Sequence, residues 1–135
     1  MYCLDTDVLS ATMRPAPPLH LIRRLARIPR EVQCTTAINL GELTYGAARG
    51  GSTELVALVR GLVLSGGRVL PFDRRAAEVY GPLRASLERE GRRLDEPDVR
   101  IAAIALSLDV TIVTGNIRHF ERIPGLRVEN WLAPS

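Results

Sequence analysis

The chain contains no lysine; all 18 of its basic residues are arginine. This excludes chemistry that runs through a lysine side chain: a Walker-A phosphate clamp, a Schiff base, the ion pair of a protein kinase. Histidine occurs only at positions 20 and 119, and cysteine only at 3 and 34. One copy therefore cannot assemble a histidine-rich zinc site or a four-cysteine cluster. Cys3 and Cys34 lack CxxC spacing and sit among apolar and β-branched neighbours, so they read as small core residues in a reducing, cytoplasmic setting. Aromatic residues make up only 4%, which leaves the core to Leu, Ile, Val and Ala. No apolar run approaches the ~20 residues of a membrane span. The opening MYCLDTDVLS has an acid at position 5 and no basic segment, so no secretory signal is expected.

What is present suits one folded domain over residues 1–135: 46% of residues are hydrophobic and 24% charged. A chain of this size buries roughly 65–70% of its unfolded surface. The net charge of +3 permits a polyanionic partner. There is no internal repeat and no linker; the proline-rich stretch 14–18 reads as a loop.

Periodicity and end signals give the elements. Residues 2–5 form a brief strand. Residues 19–28 carry Leu21, Ile22, Leu25 and Ile28 at helical spacing, with Arg23, Arg24 and Arg27 opposite. Residues 32–35 form a second strand, and Thr36 caps a helix to Ala48 that ends at Gly50-Gly51. Ser52 or Thr53 starts another helix that stops at Gly66-Gly67. Residues 69–72 form a strand, and Asp73 caps a long helix to Glu90, with Gly91 ending it and a kink or break expected near Tyr80 because of Pro82. In LDEPDVRIAAIALSL, Pro97 fits the first helical position with Glu96 as N-cap. Apolar residues from Val99 to Leu108 surround nearly the whole of this helix, which predicts deep burial. Residues 110–114 form a buried strand, Gly115 a turn, and residues 126–128 a last strand. Strands alternating with helices imply an α/β fold: a short, mainly parallel sheet flanked by helices.

In such a sheet, ligands bind beyond the carboxyl ends of the strands at the topological switch point. Asp5, Thr6 and Asp7 end the first strand, and Asn116 directly follows the strand at 110–114. Glu42 stands one turn inside an apolar helix, between Leu40 and Leu43, and Asp98 opens the most apolar helix. A carboxylate in an apolar setting is costly unless paired or coordinated. Asp, Glu, Asp and Asn offer only hard oxygens, a set for Mg²⁺ or Mn²⁺ and not for zinc.

Each residue taken singly has a structural alternative. Asp5 could cap a helix beginning at Thr6, Asp98 could complement a helix dipole, Glu42 could pair with Arg49 or another arginine, and Asn116 could serve a turn. The four together are harder to produce by structure alone. Among the rest, Asp7 faces solvent or the site edge, Asp95 is a second cap or rim acid, His119 with Phe120 packs a loop, and His20 opens a helix at the surface. Arg23, Arg24, Arg27 and Arg30, and the group Arg89, Arg92 and Arg93, read as solvated faces, with a phosphate backbone as their second use.

The segments LDTDVLS, INLGELTYGA, LDEPDVRIAAIAL and IVTGNIRHFERIPGLRVENWL, in this order and spacing, resemble the PIN-domain ribonucleases. More narrowly, they are similar to the VapC toxins of bacterial toxin–antitoxin pairs. The resemblance covers nearly the whole chain. It implies that Asp5, Glu42 and Asp98 form an acidic Mg²⁺ site, with Mn²⁺ as a substitute, and that Asn116 takes the fourth polar position. Many members carry Asp there; asparagine keeps an oxygen but loses a charge, which puts a second metal in doubt. The Thr6 and Thr114 hydroxyls would sit beside the site and orient a ligand or water. The resemblance also implies a homodimer, and a small VapB-type antitoxin that blocks the site and tethers the complex to operator DNA.

The chemistry expected is metal-dependent hydrolysis of an RNA phosphodiester, with metal-activated water attacking in line. Three converging carboxylates repel one another, a cation relieves the repulsion, and no His or Ser nucleophile is needed. Rim arginines would hold flanking phosphates, and the RNA would enter as a loop or single strand. A phosphorelay receiver shares the strand-end Asp but needs a lysine that this chain lacks. Two alternatives stay open at this point: an impaired RNA- or protein-binding module, favoured by Asn116, and a nuclease directed at DNA.

Overall fold

The computed structural model describes residues 1–64, 67–92 and 94–134. Among these residues the chain order is β1 (Tyr2–Leu4), α1 (Thr6–Thr12), α2 (Leu19–Ala26), β2 (Gln33–Thr36), α3 (Ala37–Gly50), α4 (Thr53–Leu64), β3 (Arg68–Leu70), α5 (Arg74–Arg89), α6 (Glu96–Leu108), β4 (Thr111–Val113), α7 (Ile117–Phe120) and β5 (Val128–Glu129). The five strands form one sheet in the order β3-β2-β1-β4-β5, and every neighbouring pair is parallel. The chain steps outward from β1 to β3, then returns through α5 and α6 to lay β4 on the other side of β1. The switch point therefore lies where the carboxyl ends of β1 and β4 meet. There the Asp5 N–H donates to the Val113 carbonyl at 2.9 Å.

Strand alternation divides the core between the two faces of the sheet. Cys3 of β1 and Ile112 of β4 pack with Ala76 and Leu87 of α5 and with Ile101, Ile104 and Ala105 of α6. Their neighbours Leu4 and Val113 pack on the other side with Val8, Leu21, Leu43, Val59 and Trp131. Cys3 and Cys34 are free, buried and opposite one another in the β1–β2 register, as core residues should be.

The end signals act as expected over much of the chain. Thr36 Oγ1 accepts from the Asn39 N–H at 3.1 Å and caps α3, which ends on Gly51 at φ 67°. Ser52 Oγ accepts from the Leu55 N–H at the start of α4, and Asp73 caps α5 through the Ala76 N–H. The expected stop of α4 at Gly66 lies outside the described residues. Among the described residues, no helix is long and apolar enough to cross a membrane.

Four expectations are corrected. Pro82 does not break α5, which runs continuously from Arg74 to Arg89. The proline faces solvent, where water can serve the Glu78 carbonyl that loses its donor, and the Arg84 guanidinium donates to Tyr80 Oη at 2.8 Å across it. The N-cap of α6 is Asp95, not Glu96; Glu96 is already helical, its carboxylate engaged by the Tyr80 hydroxyl at 2.7 Å and by Arg100 one turn on. That helix is deeply buried at Val99 and from Ile101 to Ala105, as expected, but not at its end, where Leu108 is 40% exposed. Residues 117–120 form the short helix α7 instead of a loop, pinned by the fully buried Phe120.

Candidate active site

Asp5 leaves β1 and becomes the N-cap of α1 in one step, so its carboxylate is aimed along the carboxyl edge of the sheet. It is 7% exposed and held by three donors: the Thr6 N–H at 2.9 Å and the Asn39 amide at 2.7 Å on Oδ1, and the Thr114 hydroxyl at 2.7 Å on Oδ2. Capping and site membership are thus not alternatives at this residue; one carboxylate does both.

Asn39 is fully buried, and its position is itself determined by hydrogen bonds. Its Oδ1 accepts from the Thr36 hydroxyl at 2.7 Å, while its amide also donates to Thr6 Oγ1 at 3.0 Å. The Thr6 hydroxyl in turn donates to Glu42 Oε1 at 2.9 Å. One chain of hydrogen bonds therefore runs from the end of β2 through Asn39 and Thr6 to both Asp5 and Glu42. Asn39 and Glu42 lie three residues apart on α3, the spacing that puts both on the side facing α1.

The structure corrects the setting of Glu42. It is exposed, because α3 turns Asn39, Leu43 and Ala47 inward and leaves Glu42 on the outer flank. Loss of water around its carboxyl group still raises its pKa first of all; the Thr6 hydrogen bond opposes this, and the charges of Asp5 and Asp98 add to it. Asp98, in the first turn of α6, is also raised, by burial first, with Asp5 adding and His119 opposing. Asp7 shows the same direction: burial raises it and Asp5 adds, against the Gly115 N–H, which donates to Asp7 Oδ2 at 2.8 Å. Asp7 thus faces inward and ties α1 to the turn after β4. A Cβ at Gly115 would stand 2.8 Å from that same oxygen and 2.9 Å from Leu132, so any larger residue there has to displace the Asp7 carboxylate and the Leu132 side chain.

Asn116 stands at the N-cap of α7, where its backbone N–H donates to Thr114 Oγ1 at 3.0 Å. Its side chain makes no capping bond and is exposed. Electrostatic coupling and hydrogen bonding thus bring Asp5, Thr6, Glu42, Asp98 and Thr114 together; Asn116 adjoins them through its backbone. Asp95 caps α6 without a side-chain bond. His119 does not pack a loop: its Nδ1 lies 3.0 Å from Asp98 Oδ2. His20 opens α2 but is tied down, with Nε2 2.6 Å from the Leu132 carbonyl. Of the arginines, Arg24 pairs with Glu129 at 3.0 Å and Arg92 with Glu90 at 3.6 Å; Arg93 lies outside the described residues.

Sequence reasoning missed Asn39 and His119. A signal existed for the first, an amide inside the apolar run AINLGEL that has to find a partner if buried. None existed for the second.

Among the described residues, no arginine forms an ion pair with Asp5, Asp7, Glu42 or Asp98. The repulsion among these acids is therefore not offset by an arginine; hydrogen bonds, and His119 at Asp98, are what oppose it. Nor do any three His, Cys, Asp or Glu side chains among the described residues make a ready metal cage. The donor chemistry, carboxylate oxygens alone, suits a hard divalent ion of the Mg²⁺ type, which keeps several of its waters. Zinc, which prefers a closed shell of nitrogen or sulfur, does not fit.

Comparison with known proteins bears on the family and the fold. The family model described as the PIN domain matches residues 2–126. The chain is 37% identical over 131 residues to the tRNA(fMet)-specific endonuclease VapC of Salmonella typhimurium, covering 96% of this chain and 97% of that one. It is 32% identical to ribonuclease VapC2 of Haemophilus influenzae, over 97% of this chain and 98% of that protein. The structure superposes on VapBC2 of Rickettsia felis, solved bound to a DNA fragment from its promoter, with a TM-score of 0.86 and 30% identity over 96% of this chain and 98% of that one.

Proposed function

Because this chain belongs to the PIN-domain family, with VapC ribonucleases as its relatives, we propose that it is the ribonuclease toxin of a toxin–antitoxin pair. It hydrolyses an RNA phosphodiester at the cluster of Asp5, Glu42 and Asp98. The observation that carries this reading is the hydrogen-bonded frame at the switch point of the parallel sheet: Asn39 ties Asp5 to Thr6 and Thr6 holds Glu42, Asp98 of α6 acts on Glu42 through its charge, and among the described residues no arginine pairs with any of the three acids.

Asp5, Glu42 and Asp98 are the residues that would hold Mg²⁺, or Mn²⁺ in its place. When bound, such an ion neutralises phosphate charge and lowers the pKa of a coordinated water. The chain supplies the rest. Asn39, Thr6 and Thr114 fix Asp5 before any ligand arrives, so little reorganisation is left for the reaction. Thr6 holds one oxygen of Glu42 and leaves the other free. The exposed Asn116 side chain offers an amide to the substrate and brings no fourth charge, so a second ion would be held more weakly. His20 and the two cysteines are occupied in the fold and take no part.

The partner is an antitoxin of the VapB kind, and operator DNA is reached only through it. Its seat is the apolar cavity of about 500 Å³ on the α3 side of the sheet, lined by Leu9, Ile22, Leu25, Leu40, Leu43 and Val59. Arg30 and Arg68 also line this cavity, and its mainly aliphatic remainder suits an apolar segment of a protein. The assembly is built on a homodimer.

The test is cleavage of RNA by the purified chain with Mg²⁺, with the cut ends of total RNA sequenced after brief induction; transfer RNA is the first substrate to assay. Cleavage should vanish with chelator and in folded Asp5→Asn and Asp98→Asn. Undiminished cleavage by either variant overturns the assignment. Asn116 favours one other reading, an RNA- or protein-binding module with a decayed site. Calorimetric titration with Mn²⁺ separates the two, since a decayed site takes up little metal whether or not the acids are present.

A further inference from the structure

Resting on that reading, we propose that His119 is a positioning residue: its imidazole holds Asp98 in the orientation in which the carboxylate binds the divalent ion. His119 Nδ1 lies 3.0 Å from Asp98 Oδ2. A carboxylate only accepts, so the proton of this bond sits on Nδ1.

Three observations make this contact more than a surface pair. First, it is the only hydrogen bond made by the Asp98 side chain among the described residues; Asp5, by contrast, is held by three donors. The Asp98 carboxylate is 18% exposed, so it has given up most of its water without gaining a second donor. Its first-turn position does not fix it either, because it makes no bond to the helix end, where Asp95 is the capping residue. Second, the imidazole is placed by the fold. It projects from α7, whose next residue, Phe120, is fully buried, and its own backbone N–H donates to the Asn116 carbonyl at 3.1 Å. The short helix capped by Asn116 therefore brings a hydrogen-bond donor to the site. Third, the contact uses Oδ2 alone and leaves Oδ1 available to an ion. A hydrogen bond from an outer residue that orients a ligating carboxylate is worth 10–100-fold in metal affinity or activity.

The experiment is Mn²⁺ titration of the full chain by calorimetry, without RNA, on wild type, His119→Ala and His119→Asn, with thermal unfolding of each as the folding control. Asparagine places an amide N–H near the position of Nδ1. The expected result is a 10–100-fold loss of Mn²⁺ affinity in His119→Ala, most of it regained in His119→Asn. Cleavage by His119→Ala should recover as Mn²⁺ is raised, with the KM for RNA unchanged; a merely structural role moves neither readout this way. Unchanged or tighter Mn²⁺ binding in His119→Ala overturns the inference, the latter because it would make the imidazole a competitor of the ion. Failure of a folded His119→Asn to regain affinity overturns it too. If His119→Ala does not fold, His119→Asn against His119→Phe gives the same comparison. Wild type that takes up no Mn²⁺ at all overturns the metal reading of the site, and this inference with it.

Discussion

Asp5 and Asp98 face the same site from opposite sides of the switch point, and they are built differently. Asp5 belongs to the fold. Its backbone is the last rung between β1 and β4, and both its oxygens are engaged by Thr6, Asn39 and Thr114. Asp98 sits on the outer turn of a helix whose core residues would pack the same way without it, and among the described residues its one side-chain hydrogen bond is to a half-exposed imidazole. The site thus has a rigid floor and a more adaptable wall. A rigid floor pre-aims one ligand, and an adaptable wall lets the others close on an ion that retains water. Two residues earlier on α6 the contrast repeats. Glu96 has its pKa lowered, by the Tyr80 hydroxyl first and by Arg100 as well, whereas Asp98 has its own raised. One acid is there for stability; the other stands against it.

The largest expected effect shows this difference best. Asp5→Ala and Asp98→Ala should both lose more than about a hundredfold in RNA cleavage, beyond what an outer partner is worth. Chemical denaturation should then separate them. Asp5→Ala takes the acceptor from one N–H of the buried Asn39 amide and leaves the Thr114 hydroxyl only its 3.4 Å contact with Asp7 Oδ1, and should cost about 3 kcal/mol. Asp98→Asn removes a repelled, half-buried charge and should leave the metal-free protein as stable as before or slightly more so. Equal destabilisation by the two would break the comparison.

Asn39→Leu tests the floor from beneath. It strips Asp5 of a donor and leaves the Thr36 hydroxyl without its acceptor, and should cost about 2 kcal/mol in denaturant midpoint terms while lowering cleavage. Next comes Gly115→Ala, whose new methyl group meets Asp7 Oδ2 and the Leu132 side chain. A destabilisation of about 1–3 kcal/mol is expected, relieved in part by a smaller residue at 132. The smallest effect belongs to Glu96. Its pKa is lowered in the fold, so its contribution is fully present above the ordinary glutamate range and is lost as pH falls through the lowered value. The stability gap between wild type and Glu96→Gln should be below about 1 kcal/mol at neutral pH and should close on acidification. A gap that widens in acid would reverse the assignment.

What could be read in the residues alone was local or additive. End signals such as Thr36, Asp73 and Gly51 act within a turn, and the alternation of strand and helix patterns specifies a parallel sheet. The absence of lysine and the scarcity of histidine left oxygen ligands as the material for a site. Sequence order also placed Asp5 and Asn116 at strand ends. Local rules failed where a distant partner intervened: Glu96 gave up the cap to bond Tyr80, and Pro82 stayed helical with Tyr80 and Arg84 joined across it. Which flank of α3 Glu42 occupies, that Asn39 and Thr114 clasp Asp5 from 34 and 109 residues away, and that His119 reaches Asp98 across 21 were decided by strand order and helix packing. Periodicity reports which residues share a face of their own element. Only the assembled sheet determines which faces meet, because a hydrogen bond between remote residues depends on where every intervening element comes to rest.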